Sequence, residues 1–129
     1  MKSKGNNPTA AELKWRGVVA DFANNSNWLN EKFGHECWAP YNFEIDHIIG
    51  ASAKRKPYGK VGELAILCVP WELHNVMAGG KLNRTLNPSA FRNEFGHEKE
   101  LFQSMIHNMK RDGYEIPFSD EIVNAIVKG

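Results

Sequence analysis

At 129 residues, with 42% hydrophobic and 24% charged side chains and 14 aromatics, the chain has the make-up of one globular domain. That excludes collagen-like, disordered and coiled-coil chains. No run approaches the ~18 apolar residues of a membrane span, the basic first residues lack the apolar stretch of a secretory signal, and Cys37 and Cys68 are too few for a disulfide framework; the expectation is a soluble, cytoplasmic protein with no membrane partner. The net charge of +1 hides an asymmetry: between His47 and Asn93 seven basic residues face two acids, Glu63 and Glu72, while the remainder carries nine basic and thirteen acidic residues. A basic middle in a near-neutral chain suggests a local anion-binding surface.

Residues 1–8 read as a disordered lead. Thr9-Ala10-Ala11-Glu12 has the form of a capping box, and Leu13, Val18, Val19 and Phe22 predict a helix from Thr9 to Phe22. The polar cluster Asn24–Asn27 ends it; Trp28, Leu29 and Phe33 predict a short helix closed by Gly34. Asn42 to Ile48 alternates polar and apolar, as a strand does. A long loop from about Gly50 to Gly62 carries the basic run. Leu64–Val69 is an apolar run of strand length, and Pro70 suits the first position of a helix over Trp71–Ala78, stopped by Gly79-Gly80. Asn87-Pro88 opens another helix, which Gly96 interrupts. From His97 onward, Leu101, Phe102, Met105, Ile106 and Met109 form an apolar helical stripe ended by Gly113. Ser119 caps a last helix bearing Ile122, Val123 and Ile126. The fold class is therefore α+β: a mostly helical single domain over 1–129, with an N-terminal helical part (9–36), a central strand–loop–strand–helix unit (37–80) and C-terminal helices (87–129).

Chemistry concentrates in the central unit. Asp46 on a strand and His74 on a helix can hold a divalent cation, with Asn75 as the other candidate for the helix ligand. His47 can take a proton from water. A cation and a base are the minimum apparatus for phosphodiester hydrolysis. The basic residues Lys54, Arg55, Lys56, Lys60, Lys81 and Arg84 would grip a polyanion. Mg²⁺ is the default hard cation, and an imidazole ligand also tolerates Mn²⁺, Ni²⁺ or Zn²⁺. Neighbouring strand residues point to opposite faces, so Asp46 and His47 can share a site only where the strand ends or twists; Ile48-Ile49-Gly50 offers such an ending.

Glu44-Ile45-Asp46-His47-Ile48-Ile49, Leu64-Ala65-Ile66-Leu67-Cys68 and Leu73-His74-Asn75 together resemble the HNH, or His-Me finger, nucleases. In that family a D-H-I strand, a strand of the form N-L-x-x-L-C and a helix bearing C-H-N or K-N make a ββα unit around one divalent metal. The resemblance implies a ββα-metal core with a two-stranded antiparallel hairpin, Asp46 and His74 as ligands, His47 as general base, and DNA as substrate. Pro70–Asn75, followed by Phe91 to Gly96, also looks like small phage and prophage members, a wider likeness over roughly 37–110. The sequence departs from the family at Glu63, where an asparagine that braces the base belongs. It also lacks the C-x-x-C knuckles, and Cys68 lies two residues further from the helix ligand than in the C-x-x-C-H form.

Two readings compete with a nuclease. One is a non-catalytic DNA-binding or recombination accessory module on the same scaffold. The other is an interaction domain stabilised by zinc on His35, Cys37 and Cys68, for which a fourth ligand is lacking. Trp15, Trp28, Trp38 and Trp71 read as packing residues, although Trp38 and Tyr41 could stack on bases. His97 and His107 read as surface residues. Oligomeric state is open; cutting both strands would take a dimer or two encounters.

Overall fold

The computed structural model describes residues 8–34 and 42–129. Thr9 and Glu12 form the expected capping box, and α1 runs from Ala10 to Asn25, a turn beyond Phe22. Its buried stripe is Trp15, Val19, Phe22 and Ala23, whereas Leu13 faces solvent; Trp15 replaces it because the indole N–H donates to the Leu64 carbonyl at 3.0 Å. The short helix α2, Trp28–Phe33, ends at Gly34, whose φ of 68° is the left-handed conformation that favours glycine. The expected sites at His35, Cys37, Trp38 and Tyr41 lie outside the described residues.

Strand β1, Phe43–His47, pairs antiparallel with a strand that starts at Ile66, later than the expected Leu64. Between them the expected loop folds into a small hairpin of its own, β2 (Lys54–Arg55) with β3 (Gly59–Lys60). The strand β4, Ile66–Pro70, is buried at every position. Its apolar run shows no alternation because helices cover it while β1 pairs along its edge, so all five side chains are dry. The register places Asp46 opposite Leu67 and Ile45 opposite Cys68.

Pro70 caps α3, Trp71–His74, with no intervening loop. The helix expected to run on to Ala78 breaks at Asn75, whose extended backbone (ψ 126°) begins a 3-10 turn over Val76–Ala78. The Asn75 side chain accepts from Met77 N–H, so asparagine chemistry stops the helix before the glycines do. Trp71 is 38% exposed rather than packed. Then follow α4 (Pro88–Phe95), α5 (Glu98–Arg111) and α6 (Asp120–Lys128). His97 is the N-cap of α5, accepting from Lys99 N–H, and Ser119 caps α6.

The buried apolar residues of α1, α2, β4, α4, α5 and α6 form one cluster, and the expected stripe Leu101, Phe102, Met105, Ile106 and Met109 lies wholly within it. Phe33 meets Phe95 edge-on and Phe91 at a tilt, and these ring contacts tie α2 to α4. The protein is α+β, about half helical, with a two-stranded antiparallel pair at its centre. Among the described residues no helix is long and apolar enough to cross a membrane.

Gly62 is where close approach requires glycine: a Cβ there would lie 2.0 Å from the Gly50 carbonyl oxygen and 2.4 Å from that of Ala51. Gly17, on the exposed face of α1, has nothing within 4 Å of such an atom. The same substitution should therefore have opposite signs. Urea denaturation should show Gly62→Ala losing about 2 kcal/mol or more and Gly17→Ala gaining up to about 1 kcal/mol from helix propensity.

Candidate active site

Residues two apart on a strand share a face, and β1 uses this to present Glu44 and Asp46 together. Because α3 follows β4 directly, its last residue, His74, meets both. His74 Nδ1 lies 2.6 Å from Glu44 Oε1, and Nε2 lies 3.3 Å from Asp46 Oδ1. Asn75 instead donates to the other Glu44 oxygen at 2.8 Å. The structure thus brings His74, rather than its neighbour, to Asp46. The Asp46 bond is the largest influence on His74 and, with Glu44, outweighs burial, so the imidazole pKa is raised above its ordinary value.

Asp46 is 3% exposed. Burial would raise its pKa, but hydrogen bonds from His74 and Arg84 and the Arg84 charge hold it below the usual carboxylate range. Arg84 grips it with two arms, Nε to Oδ2 and Nη2 to Oδ1, the latter at 2.6 Å. The third guanidinium nitrogen donates to Glu98 Oε2 at 2.6 Å, and Arg92 Nε donates to the other Glu98 oxygen at 2.7 Å. Glu98, 1% exposed, is thereby paired on both sides. Burial opposes its ionisation, but Arg92, a backbone N–H and Arg84 together lower its pKa to about 2. Arg84, expected with the basic residues of the surface, stands inside the site with each nitrogen committed to a carboxylate.

A buried asparagine steadies this arrangement. Asn83 donates to the carbonyls of Glu72 and Asn75 at 3.1 and 2.7 Å and accepts from the N–H groups of Thr85 and Leu86. Its amide bolts the Arg84 segment to the end of α3, with Arg84 N–H on the Leu73 carbonyl at 2.7 Å beside it.

His47 ends β1 and turns to other partners. Its Nε2 lies 2.9 Å from Glu63 Oε1, which also receives Arg16 Nη2 at 2.6 Å. A carboxylate only accepts, so Nε2 carries the proton toward Glu63; Arg16 Nη2 lies 3.4 Å from the same nitrogen. Burial raises the Glu63 pKa, but the His47 and Arg16 hydrogen bonds prevail and lower it. Glu63 therefore fills the bracing position with a charge where the resemblance implies an asparagine. Asp46 and His47 face opposite sides of β1, as strand geometry requires, and the strand ends at His47.

Among the described residues no group of three or more His, Cys, Asp and Glu side chains is arranged to hold a metal ion. Glu44 meets the far nitrogen of His74, so it does not aim where Asp46 does. The remaining pair nonetheless fits a cation that keeps most of its own waters. Ligands ~2.1 Å from Mg²⁺ on adjacent octahedral corners sit about 3.0 Å apart, close to the 3.3 Å between Asp46 Oδ1 and His74 Nε2. A carboxylate on the other nitrogen is the usual companion of a ligating histidine, and Glu44 supplies it. Cys68 is fully buried with its Sγ 3.8 Å from Met105 Sδ, in the core rather than in this site.

The basic residues divide. Lys54, Lys56, Lys60 and Lys81 are exposed, and Lys54 pairs directly across the small hairpin from Lys60. Arg55 turns back, donating to the Lys54 carbonyl at 2.8 Å and packing against Gly129. Sequence reasoning missed Glu44, Glu98, Arg92, Asn83 and Arg16. Only Glu44 had a signal, its place two residues before Asp46 on an alternating strand.

Glu98 has a pKa lower in the fold than its ordinary 4.5, so its contribution is present above pH 4.5 and lost as pH falls toward about 2. That shift corresponds to about 3 kcal/mol at neutral pH. Denaturation of Glu98→Gln should show a loss of that order at pH 7. Its stability should also fall less steeply than the wild type's between about pH 4.5 and 2, which a pH series of urea midpoints would read.

No family model matches this chain, and neither a curated protein nor a solved structure matches it.

Proposed function

We propose that this protein is a divalent-metal-dependent endonuclease that hydrolyses DNA phosphodiester bonds on a ββα unit of the His-Me finger kind. The observation that carries the reading is that consecutive residues at the end of β1 head two unlike sets, one on each face of the strand. Asp46 and His74 close on each other, with Glu44 behind the histidine. His47, the next residue, is backed by Glu63 and Arg16.

In this mechanism a phosphodiester lies across the end of β1 and meets both sets. His47 accepts the proton of the attacking water on Nδ1, and Glu63 fixes the ring's tautomer and stabilises the imidazolium that forms. Arg16 keeps Glu63 ionised. The oxygen–phosphorus bond forms as the 3′ oxygen leaves in line and is protonated by solvent. Asp46 and His74 would hold a divalent cation, Mg²⁺ or Mn²⁺, which would supply positive charge to offset the negative charge growing on phosphate and leaving oxygen. Glu44 keeps the proton on His74 Nδ1 so that Nε2 is free to ligate.

The exposed lysines of the hairpin suit a polyanionic substrate. Lys54 and Lys56 stand exposed on and beside the small hairpin, where a phosphate backbone could reach them. The accessory-module reading has its own support in the grip of Arg84 on Asp46, which occupies the carboxylate.

Nicking of supercoiled plasmid with Mg²⁺ or Mn²⁺ tests the choice. His47→Ala should lower cleavage by about 10²–10⁴-fold while leaving Mn²⁺ affinity intact, whereas Asp46→Asn should lose both. Equal trace cutting by wild type and His47→Ala would hand the protein to the accessory reading. Each of Lys54→Gln, Lys56→Gln and Lys60→Gln should reduce the slope of log K against log[salt] for duplex binding by about 0.9; an unchanged slope would remove the hairpin from the DNA surface.

A further inference from the structure

Asp46 has two claimants. Its two oxygens receive two arms of Arg84, and the oxygen facing His74 Nε2, Oδ1, is also the one bonded to Arg84 Nη2. A cation seated between Asp46 and His74 would take its share of that same oxygen. A divalent ion and a guanidinium do not fit one carboxylate oxygen side by side without mutual repulsion, which is strong where the carboxylate is 3% exposed. Arg84 also has somewhere to stay. Its third nitrogen is fastened to Glu98, which is buried and held in turn by Arg92. The backbone of Arg84 is fixed by its bond to the Leu73 carbonyl and by the adjoining Asn83 amide.

Resting on the metal-site reading above, we propose that Arg84 is a built-in competitor for the cation: it neutralises Asp46 when no metal is bound. When metal arrives it gives up Asp46 Oδ1, pivots on Glu98, and turns the released N–H groups toward the substrate phosphate. Metal occupancy and phosphate recognition are thereby joined through one side chain. Arg84 is a positioning residue in the metal-free protein and a phosphate ligand in the loaded one. Glu98, which no cation needs, exists in this scheme to keep the guanidinium from leaving.

The test is Mn²⁺ affinity of the full chain without DNA, by calorimetry and by the free-ion paramagnetic resonance signal, for wild type, Arg84→Gln, Arg84→Lys, Asp46→Asn, His74→Ala and the double variant Arg84→Gln with Asp46→Asn. Both single Arg84 variants should bind Mn²⁺ more tightly than wild type, Arg84→Gln by about tenfold or more, the equivalent of 1.4 kcal/mol of lost competition. The double variant should lose the gain, which places it at Asp46. Arg84→Gln and Arg84→Lys binding no tighter than wild type, while Asp46→Asn binds more weakly, would overturn the competition and leave the metal site standing. Asp46→Asn and His74→Ala binding as wild type does would overturn the metal site and the competition with it. Should both Arg84 variants fail to fold, the Arg84 Nε–H resonance in ¹⁵N-labelled wild type decides. It should move on addition of Mg²⁺, and no movement at saturating Mg²⁺ would overturn the proposal.

Discussion

A carboxylate buried in the middle of an apolar sheet is the constraint around which this protein is arranged. Asp46 sits opposite Leu67 on a strand pair whose other member is entirely dry. An ionised group in that setting is tenable only if its lone pairs are answered. The answers come from three separate places: His74 from the helix after β4, Arg84 from the segment beyond the 3-10 turn, and, one step further out, Glu98 and Arg92 from the last helices. The order of elements along the chain reads as a way of delivering those partners. β4 runs into α3 without a loop, Asn83 ties the following segment to the end of α3, and the α4–α5 junction brings Glu98 to Arg84.

This layering separates two kinds of charge. The inner network of Asp46, Arg84, Glu98 and Arg92 is closed, each acid meeting a base at hydrogen-bond distance. The pair His47–Glu63 lies across β1 from it and is steadied by Arg16 of α1. One strand end thus joins a tightly neutralised interior to a part-exposed histidine–carboxylate pair. On the proposed reading, the closed side would hold one group still while the other moves a proton.

How much of this was legible in the sequence follows from the range of the forces involved. Capping chemistry is local, so Thr9, Ser119 and the Gly34 and Gly113 stops mark their elements correctly. The α5 stripe is legible because five residues repeat a single period. Where an element depends on distant partners the reading slips. Leu13 fits the helical period as well as Trp15, and a hydrogen bond to Leu64, far along the chain, decides between them. The helix at Trp71 is cut short by a side-chain bond within Asn75–Met77. For the site, Asp46, His47 and His74 stand out because their residue types are scarce and their order is distinctive. Arg84 was noticed as a positive charge but not as the partner of Asp46, since nothing in the intervening sequence encodes that pairing. Glu98, at the start of an amphipathic helix, is indistinguishable from the many first-turn acids that merely favour the helix dipole.

The joining of β1 to β4 has an evolutionary reading. Their register is fixed by the ladder from Phe43–Pro70 to His47–Ile66 and by the groups that Asp46 must meet, so the residues on either side of the pair can neither gain nor lose a position. The stretch between them is freer. At its base Gly62 lies against Gly50 and Ala51, and the Val61 and Gly62 N–H groups donate to the Ala53 carbonyl; the Lys54–Lys60 hairpin extends beyond that pinch. Lengthening a surface excursion of this sort costs little entropy. Descendants of this fold could therefore exchange the hairpin wholesale while the Asp46 and His47 networks beneath it stay unaltered.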